Sequence, residues 1–393
     1  MLGTKDEPAA PLDITKLALV VAGGVGGAVA LVVAYRRQRD LEQSRFIERF
    51  GAAATQLGSP YTAVRIAGVY AMAVVADESA GDRRQQCIDV LCGYLRLPYS
   101  PDTGANHQIG RDRKDTAIAD IEIADHFQYL QNDKVVRQTV VDVIVAHLRN
   151  HESSWSSYDF NFTTAHFEDA GFNGVTFSGT SRFDGAMFSA DAGFNGATFS
   201  GDAGFNGVTF SGDAGFNGAT FAGDTGFGRV TFSGEARFVR ATFSGRAGFG
   251  GVTFSGPARF GRSTFSGPAG FNGVTFSGPA SFDGVTFSGG VVFIGTKFSG
   301  PAGFGAVMFS GDARFDGVMF SGPARFNGVT FGAPDAVGTA EISFSNADFG
   351  SGAVSFEQPR RWGPPLPVFD WDSDPSTKPA NVSPTPWHPN PAL

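Results

Sequence analysis

Phe177, Phe183, Phe188, Phe194, Phe199, Phe205, Phe210, Phe216 and Phe221 open a series of phenylalanines that runs to Phe331 in alternating steps of six and five residues. Neither regular element aligns such a series: a strand puts residues five apart on opposite faces, and a helix turns them by roughly 140°. The chain must therefore bend after every five or six residues. Four short sides then close a square coil, two eleven-residue units to the coil. Each Phe points inward with the small residue two places before it, as in Val175, Ala186 and Ala197 in one register and Ala192, Ala203 and Ala214 in the other.

Gly207, Gly218 and their equivalents supply tight corners. The extra residue of each six falls at another corner, filled by turn formers such as Asp202, Asp213, Asp224, Pro257, Pro279 and Pro301. A proline there implies a backbone position outside the hydrogen-bond ladder. Fourteen units between Phe177 and Phe331 make about seven coils, a rod of roughly 35 Å at the ~4.8 Å interstrand spacing. The rings are expected to pile into a single column, each fully buried Phe contributing ~1.5–3 kcal/mol before entropy is subtracted.

The triplets A-H-F, A-G-F and V-T-F, spaced by five over residues 165–177, resemble the pentapeptide-repeat family. Its usual motif, A-[DN]-L-x-x, is matched by Ala347, Asp348 and Phe349, with Phe in place of Leu. The resemblance spans roughly residues 157–356 and implies a right-handed quadrilateral β-helix; the six-residue pieces depart from it, giving a coil of 22 residues in place of 20. Ahead of it, R-F-I-E-R-F, the run Q-L-G-S-P-Y-T-A-V-R-I-A-G-V-Y-A over residues 56–71, and V-R-Q-T-V-V from Val136 resemble actinobacterial membrane proteins that carry a helical module before such repeats.

Residues 17–35, with Leu17 first and Tyr35 last, hold no charge over 19 positions, enough helix to cross most of a ~30 Å hydrocarbon core. Asp6, Glu7 and Asp13 ahead of the run disfavour a cleavable signal peptide. Arg36, Arg37 and Arg39 follow it, which places the remainder in the cytoplasm of a single-pass cell-membrane protein. Gly24, Gly26 and Gly27 superficially resemble a dinucleotide-binding turn, but the chain then becomes charged and helical through Arg39, Asp40 and Glu42. Gly23 and Gly27 form a G-x-x-x-G face that would pair two copies as a homodimer.

Helical stripes follow: Ile47, Phe50, Ala54 and Leu57; then Ile88, Leu91, Cys92 and Leu95; then Val136, Val140, Val143, Ile144 and His147. Asp82 with Gln85 reads as an N-cap and its capping partner, and residues 97–115 read as a loop. Cys87 and Cys92 are expected as buried thiols in a reducing compartment. His147 and His151 share a helical face without a third ligand, so His147 is assigned to the apolar stripe.

The expected architecture is an α+β multidomain chain: an N-terminal tail (1–16), one transmembrane helix (17–36), a small all-α helical module (37–152), a right-handed quadrilateral β-helix (153–356) and a proline-rich tail (357–393). No set of nucleophile, base and oxyanion donors is gathered, so the expected role is a non-enzymatic scaffold for an unidentified protein partner, with no cofactor, metal or nucleic acid. Two other readings compete. DNA mimicry, known within the resembled family for binding topoisomerases, needs dense negative charge, yet residues 160–356 hold 14 acidic against 10 basic residues. An ice-binding array would use the repeated outward threonines, Thr198 to Thr286 in steps of eleven. The tail, rich in proline and carrying Trp362, Trp371 and Trp387, has no core of its own; it stays disordered, drapes over the last coil or serves as a proline-rich ligand.

Overall fold

The structure is a computed structural model that describes residues 11–99, 105–115, 121–130, 133–149, 155–332, 340–387 and 389. Helix α1 (Pro11–Leu57) runs unbroken from the apolar segment into the module. Its residues from Leu19 to Leu57 include a window long and apolar enough to cross a membrane, with none of that window buried inside the molecule. Near its end Ala53 and Leu57 are buried and Phe46, Phe50 and Ala54 half-buried. Ile47, expected on that stripe, is 59% exposed. The buried line follows Phe46, Phe50, Ala53 and Leu57, and Ile47 lies about 60° past its Phe50 edge.

Helix α2 (Thr62–Asp77) packs on this end of α1, and α3 (Asp82–Arg96) and α4 (Asp133–Arg149) pack on α2 and on each other. Gly68 allows α2 to lie close against α1: a Cβ there would lie 2.6 Å from the Leu57 nitrogen. Inside the module Arg65 and Asp133 form a buried ion pair at 2.7 Å, and the Tyr94 hydroxyl donates to the same carboxylate at 2.6 Å. Of the loop expected over 97–115, residues 105–115 are strand instead, and residues 100–104 lie outside the described residues. Strand β1 (Ala105–Asp115) pairs antiparallel with β2 (Ile121–Leu130), adding a hairpin to an otherwise helical module.

From Phe160 the chain winds into four parallel sheets of nine, eight, ten and nine strands, each strand two residues long. One coil shows the plan. Ala203–Gly204 lies on face 1, Thr209–Phe210 on face 2, Ala214–Gly215 on face 3 and Thr220–Phe221 on face 4. The next coil repeats each in register, as in Thr198↔Thr220 and Ala214↔Ala236.

Four columns of rings fill the interior, where a single column was expected. Each coil delivers one Phe per side, and each ring lies over its equivalent in the adjoining coil: Phe216 on Phe238 at 4.8 Å and 2°, Phe221 on Phe243 at 4.8 Å and 6°. Columns on opposite faces 1 and 3 meet edge to face across the interior, as in Phe205 with Phe216 at 5.7 Å and 90°, the arrangement ring quadrupoles favour.

Two corners use glycine for two reasons. Gly207 adopts φ +67, open to glycine without strain. Gly256 has ordinary φ, but a Cβ would sit 2.4 Å from the Gly234 carbonyl oxygen in the coil below. At the extra-residue corner the backbone N–H lies outside the ladder and is taken by a carboxylate one coil earlier: Asp213 N by Asp191, Asp224 N by Asp202, Glu235 N by Asp213. In the same column Pro257 follows Glu235, and with no N–H it needs no such acceptor.

The proline-rich tail drapes over the last coil. Arg361–Trp362 extends face 4 and Val382–Ser383 extends face 3. Phe369 stacks on Phe344 at 4.7 Å, and Trp371 and Trp387 close around it. Asn381 Nδ2 donates to the carbonyls of Phe349 and Gly352 at 3.0 and 2.6 Å.

Phe238→Ala is expected to lower the unfolding free energy by ~3–5 kcal/mol in chemical denaturation, because neither neighbouring ring can close the gap. Asp133→Ala, which strands the buried Arg65 cation, is expected to lower it by a similar ~3–5 kcal/mol. Removal of residues from 357 onward bares the rings of Phe344 and Phe356, and light scattering should then show aggregation that the full chain lacks.

Candidate interaction surface

Phe177, Phe183, Phe188, Phe194, Phe199, Phe205, Phe210, Phe216 and Phe221 all lie inside the coil and are buried. They set the frame on which other side chains are presented. The outward residues are the second of each strand on faces 1 and 3 and the first on faces 2 and 4. The threonines divide accordingly. Thr198, Thr220 and Thr242 stand on face 4 and Thr209, Thr231 and Thr253 on face 2. They form single columns on separate sheets and do not merge into one flat array.

Charge is distributed in bands along the rod. Residues 181–224 carry Asp184, Asp191, Asp202, Asp213 and Asp224 against Arg182, a local −4. Residues 225–268 carry Arg229, Arg237, Arg240, Arg246, Arg259 and Arg262 against Glu235 alone, a local +5 in a chain of net −8. Such banding leaves no continuous acidic face of the kind a DNA mimic requires.

Within the basic band, Arg237 and Arg259 are neighbours in register on face 3, where Gly193 and Gly215 precede them. Arg237 bonds Asp213 at 2.8 Å and also Glu235, whose other oxygen meets Arg259. The hydrogen bond from Arg237 to Glu235 holds that guanidinium above its ordinary pKa. Arg240 and Arg262 occupy the next corner at φ +58 and +59, the position held by Gly218 below and Gly284 above. A left-handed conformation costs a non-glycine residue ~1–2 kcal/mol. Both side chains are exposed, and neither has an acidic partner among the described residues. They border a shallow groove lined also by Asn217, Gly218, Val239, Gly261 and Asp283.

In the sequence these arginines stand out only as interruptions of acidity. The pairing of Arg237 and Arg259 through Glu235 becomes visible once residues one coil apart are read as neighbours.

The helical module is fitted to the open edge of the first coil. The expected capping pair of Asp82 and Gln85 does not form: Gly81 is the N-cap of α3 and no side chain caps it. Gln85 instead clasps Asp159, donating to its carbonyl at 2.8 Å and accepting from its N–H at 3.0 Å. Arg149 donates to the Asn173 and Gly171 carbonyls, and Arg137 to those of His166 and Leu95. His147 stacks on buried Trp155 at 3.9 Å, and the Trp155 indole N–H donates to Asp77 at 2.8 Å. His151 lies outside the described residues. Cys87 and Cys92 are free and buried; burial pushes their thiols up to about 11 and about 12, so both stay protonated and poorly nucleophilic near neutrality.

A family model described as pentapeptide repeats (9 copies) matches residues 205–253, 249–297 and 282–330. That stretch is similar to the pentapeptide-repeat family. No curated protein and no solved structure matches the chain. The matched pentapeptide-repeat segments include the whole basic band, so its arginines decorate regular coils.

Gln85→Ala should loosen the first coil specifically, read as faster amide hydrogen exchange at residues 160–182 with unchanged exchange at residues 249–297.

Proposed function

We propose that this chain is a membrane-anchored, non-catalytic scaffold whose pentapeptide-repeat rod presents a fixed pattern of side chains to protein partners. The observation that carries the reading is the division of labour within each coil: inward positions are committed to ring stacking, while outward positions repeat at constant spacing and hold the banded charge. Anchoring is supported by Leu19, Val20 and Leu31 of α1, each about 70% exposed, an arrangement that water disfavours and lipid satisfies. Arg36, Arg37 and Arg39 beyond them favour a cytoplasmic module and rod. The plan agrees with the actinobacterial membrane proteins that the module resembles, and Gly23 and Gly27 leave room for two anchors to pair.

Affinity capture from detergent-solubilised membranes tests the scaffold reading. The full chain is expected to retain partners that a solenoid-deleted chain loses, and charge reversal at the exposed Arg240 and Arg246 should change that set without shifting the unfolding midpoint. An identical set from all three proteins would refute the role of the rod. Anchoring is read separately: the protein should stay with membranes through an alkaline carbonate wash, and release would contradict it.

A further inference from the structure

Two pairs of arginines lie on adjoining parts of the basic band, and they differ in one respect. Arg237 stacks over Arg259, and Glu235 lies between their guanidiniums, joined to both. Arg240 and Arg262 are related by the same one-coil step, with the Arg240 N–H bonded to the Gly261 carbonyl at 3.0 Å. Among the described residues no carboxylate bridges them. Asp283 lines the same groove one coil beyond Gly261, but its carboxylate accepts from the Gly305 N–H at 2.8 Å and from the Ser281 hydroxyl at 2.8 Å and forms no ion pair with either arginine among the described residues. Two like charges stacked one coil apart repel, and both residues hold a backbone conformation that glycine takes in adjacent coils. Neither feature is required by the coil, which closes equally well at Gly218 and Gly284.

We infer that the Arg240–Arg262 corner is a docking site for a carboxylate-bearing segment of a partner protein, a short acidic peptide whose Glu or Asp side chain takes the bridging place that Glu235 fills between Arg237 and Arg259. This rests on the reading of the rod as a protein-interaction surface and specifies the chemistry of one partner. Guanidinium pairs favour carboxylates through paired N–H donors in a fixed fork. Length is restricted by the neighbouring charge. The basic band is two coils high, roughly 10 Å, with five Asp in the two coils before it and balanced charge after it, Asp283, Asp312 and Asp316 against Lys297, Arg314 and Arg325. A long polyanion such as a nucleic acid that followed the rod would leave the arginines after two coils and meet the acidic band. A short acidic segment would not.

The test uses the full chain in uncharged detergent and three fluorescein-labelled probes: a peptide with four Glu spaced by Gly and Ser, its Gln analogue, and an oligothymidylate of equal charge. Anisotropy should show the Glu peptide bound more tightly than either other probe, with affinity falling as salt is raised. The Arg240→Gly, Arg262→Gly double variant restores the glycine of the column. It should weaken the Glu peptide by about tenfold or more while its thermal unfolding midpoint stays level or rises. Unchanged peptide affinity in the variant, equal binding of the Gln analogue, tighter binding of the oligothymidylate, or a lowered midpoint would each overturn the inference. If the Glu peptide fails to bind while the charge-reversed chain still loses its captured partners, this site is wrong and the scaffold reading stands.

Discussion

Register between equivalent rings of successive coils is the constraint on which the rest of this molecule depends. A two-residue strand makes too few backbone hydrogen bonds to define its own pairing, and a strand of this length is not stable alone. What fixes it is the Phe that follows or ends it, lying flat on the ring below at 4.6–5.5 Å along the regular columns. A slip of one residue would turn the rings of faces 2 and 4 toward water and their outward threonines inward, so the stack and the ladder permit one alignment only. Between Ala313 and its partner Ile342 the chain takes a longer path than in the regular coils, and Phe344 still lies on Phe315 at 4.6 Å. The column is undisturbed by the seven additional residues of that step.

A stack of identical layers creates two problems that the sequence meets with side chains. Corners leave N–H groups outside the ladder, and these are taken by Asp and Asn side-chain oxygens from the coil before, as in Asn206 N with Asp184 and Asn217 N with Asn195, or removed by proline. The ends leave unpaired backbone edges, which invite association. At the first coil Gln85, Arg137 and Arg149 of the helical module supply the missing donors and acceptors. At the last coil a proline-rich segment takes over as a lid, with Trp362, Trp371 and Trp387 replacing the next layer of phenylalanines.

The rod is legible in the sequence because its period is local: the steps of five and six, the inward small residue and the corner proline each follow from a few adjacent positions. What escapes depends on neighbours distant in the chain. One ring per side gives four columns, but the count of columns is a property of the closed coil. Gln85 has the spacing of a capping residue, yet the Asp159 amide that it clasps is 74 residues away. Arg65 stands in an apolar helical run, and only the position of Asp133 on α4 explains its burial. The order of the tail does not follow from its composition, since its partners are the rings of the final coil.

The same division bears on the arginines. Every inward position of the coil is determined by packing, and the φ-positive corners are determined by backbone geometry, for which glycine suffices. An arginine at such a corner adds nothing to the ladder: the Arg262 N–H bonds the Asp283 carbonyl at 3.0 Å much as the Gly251 N–H bonds that of Asn272 at 2.9 Å. Its side chain is exposed beside the glycine corner of the next coil, and its charge adds to a band that is already positive. Features that a fold neither needs nor benefits from are explained from outside it, and here the bridging of Arg237 and Arg259 by Glu235 shows what an external group must bring: a carboxylate, at the height of one coil, between two guanidiniums.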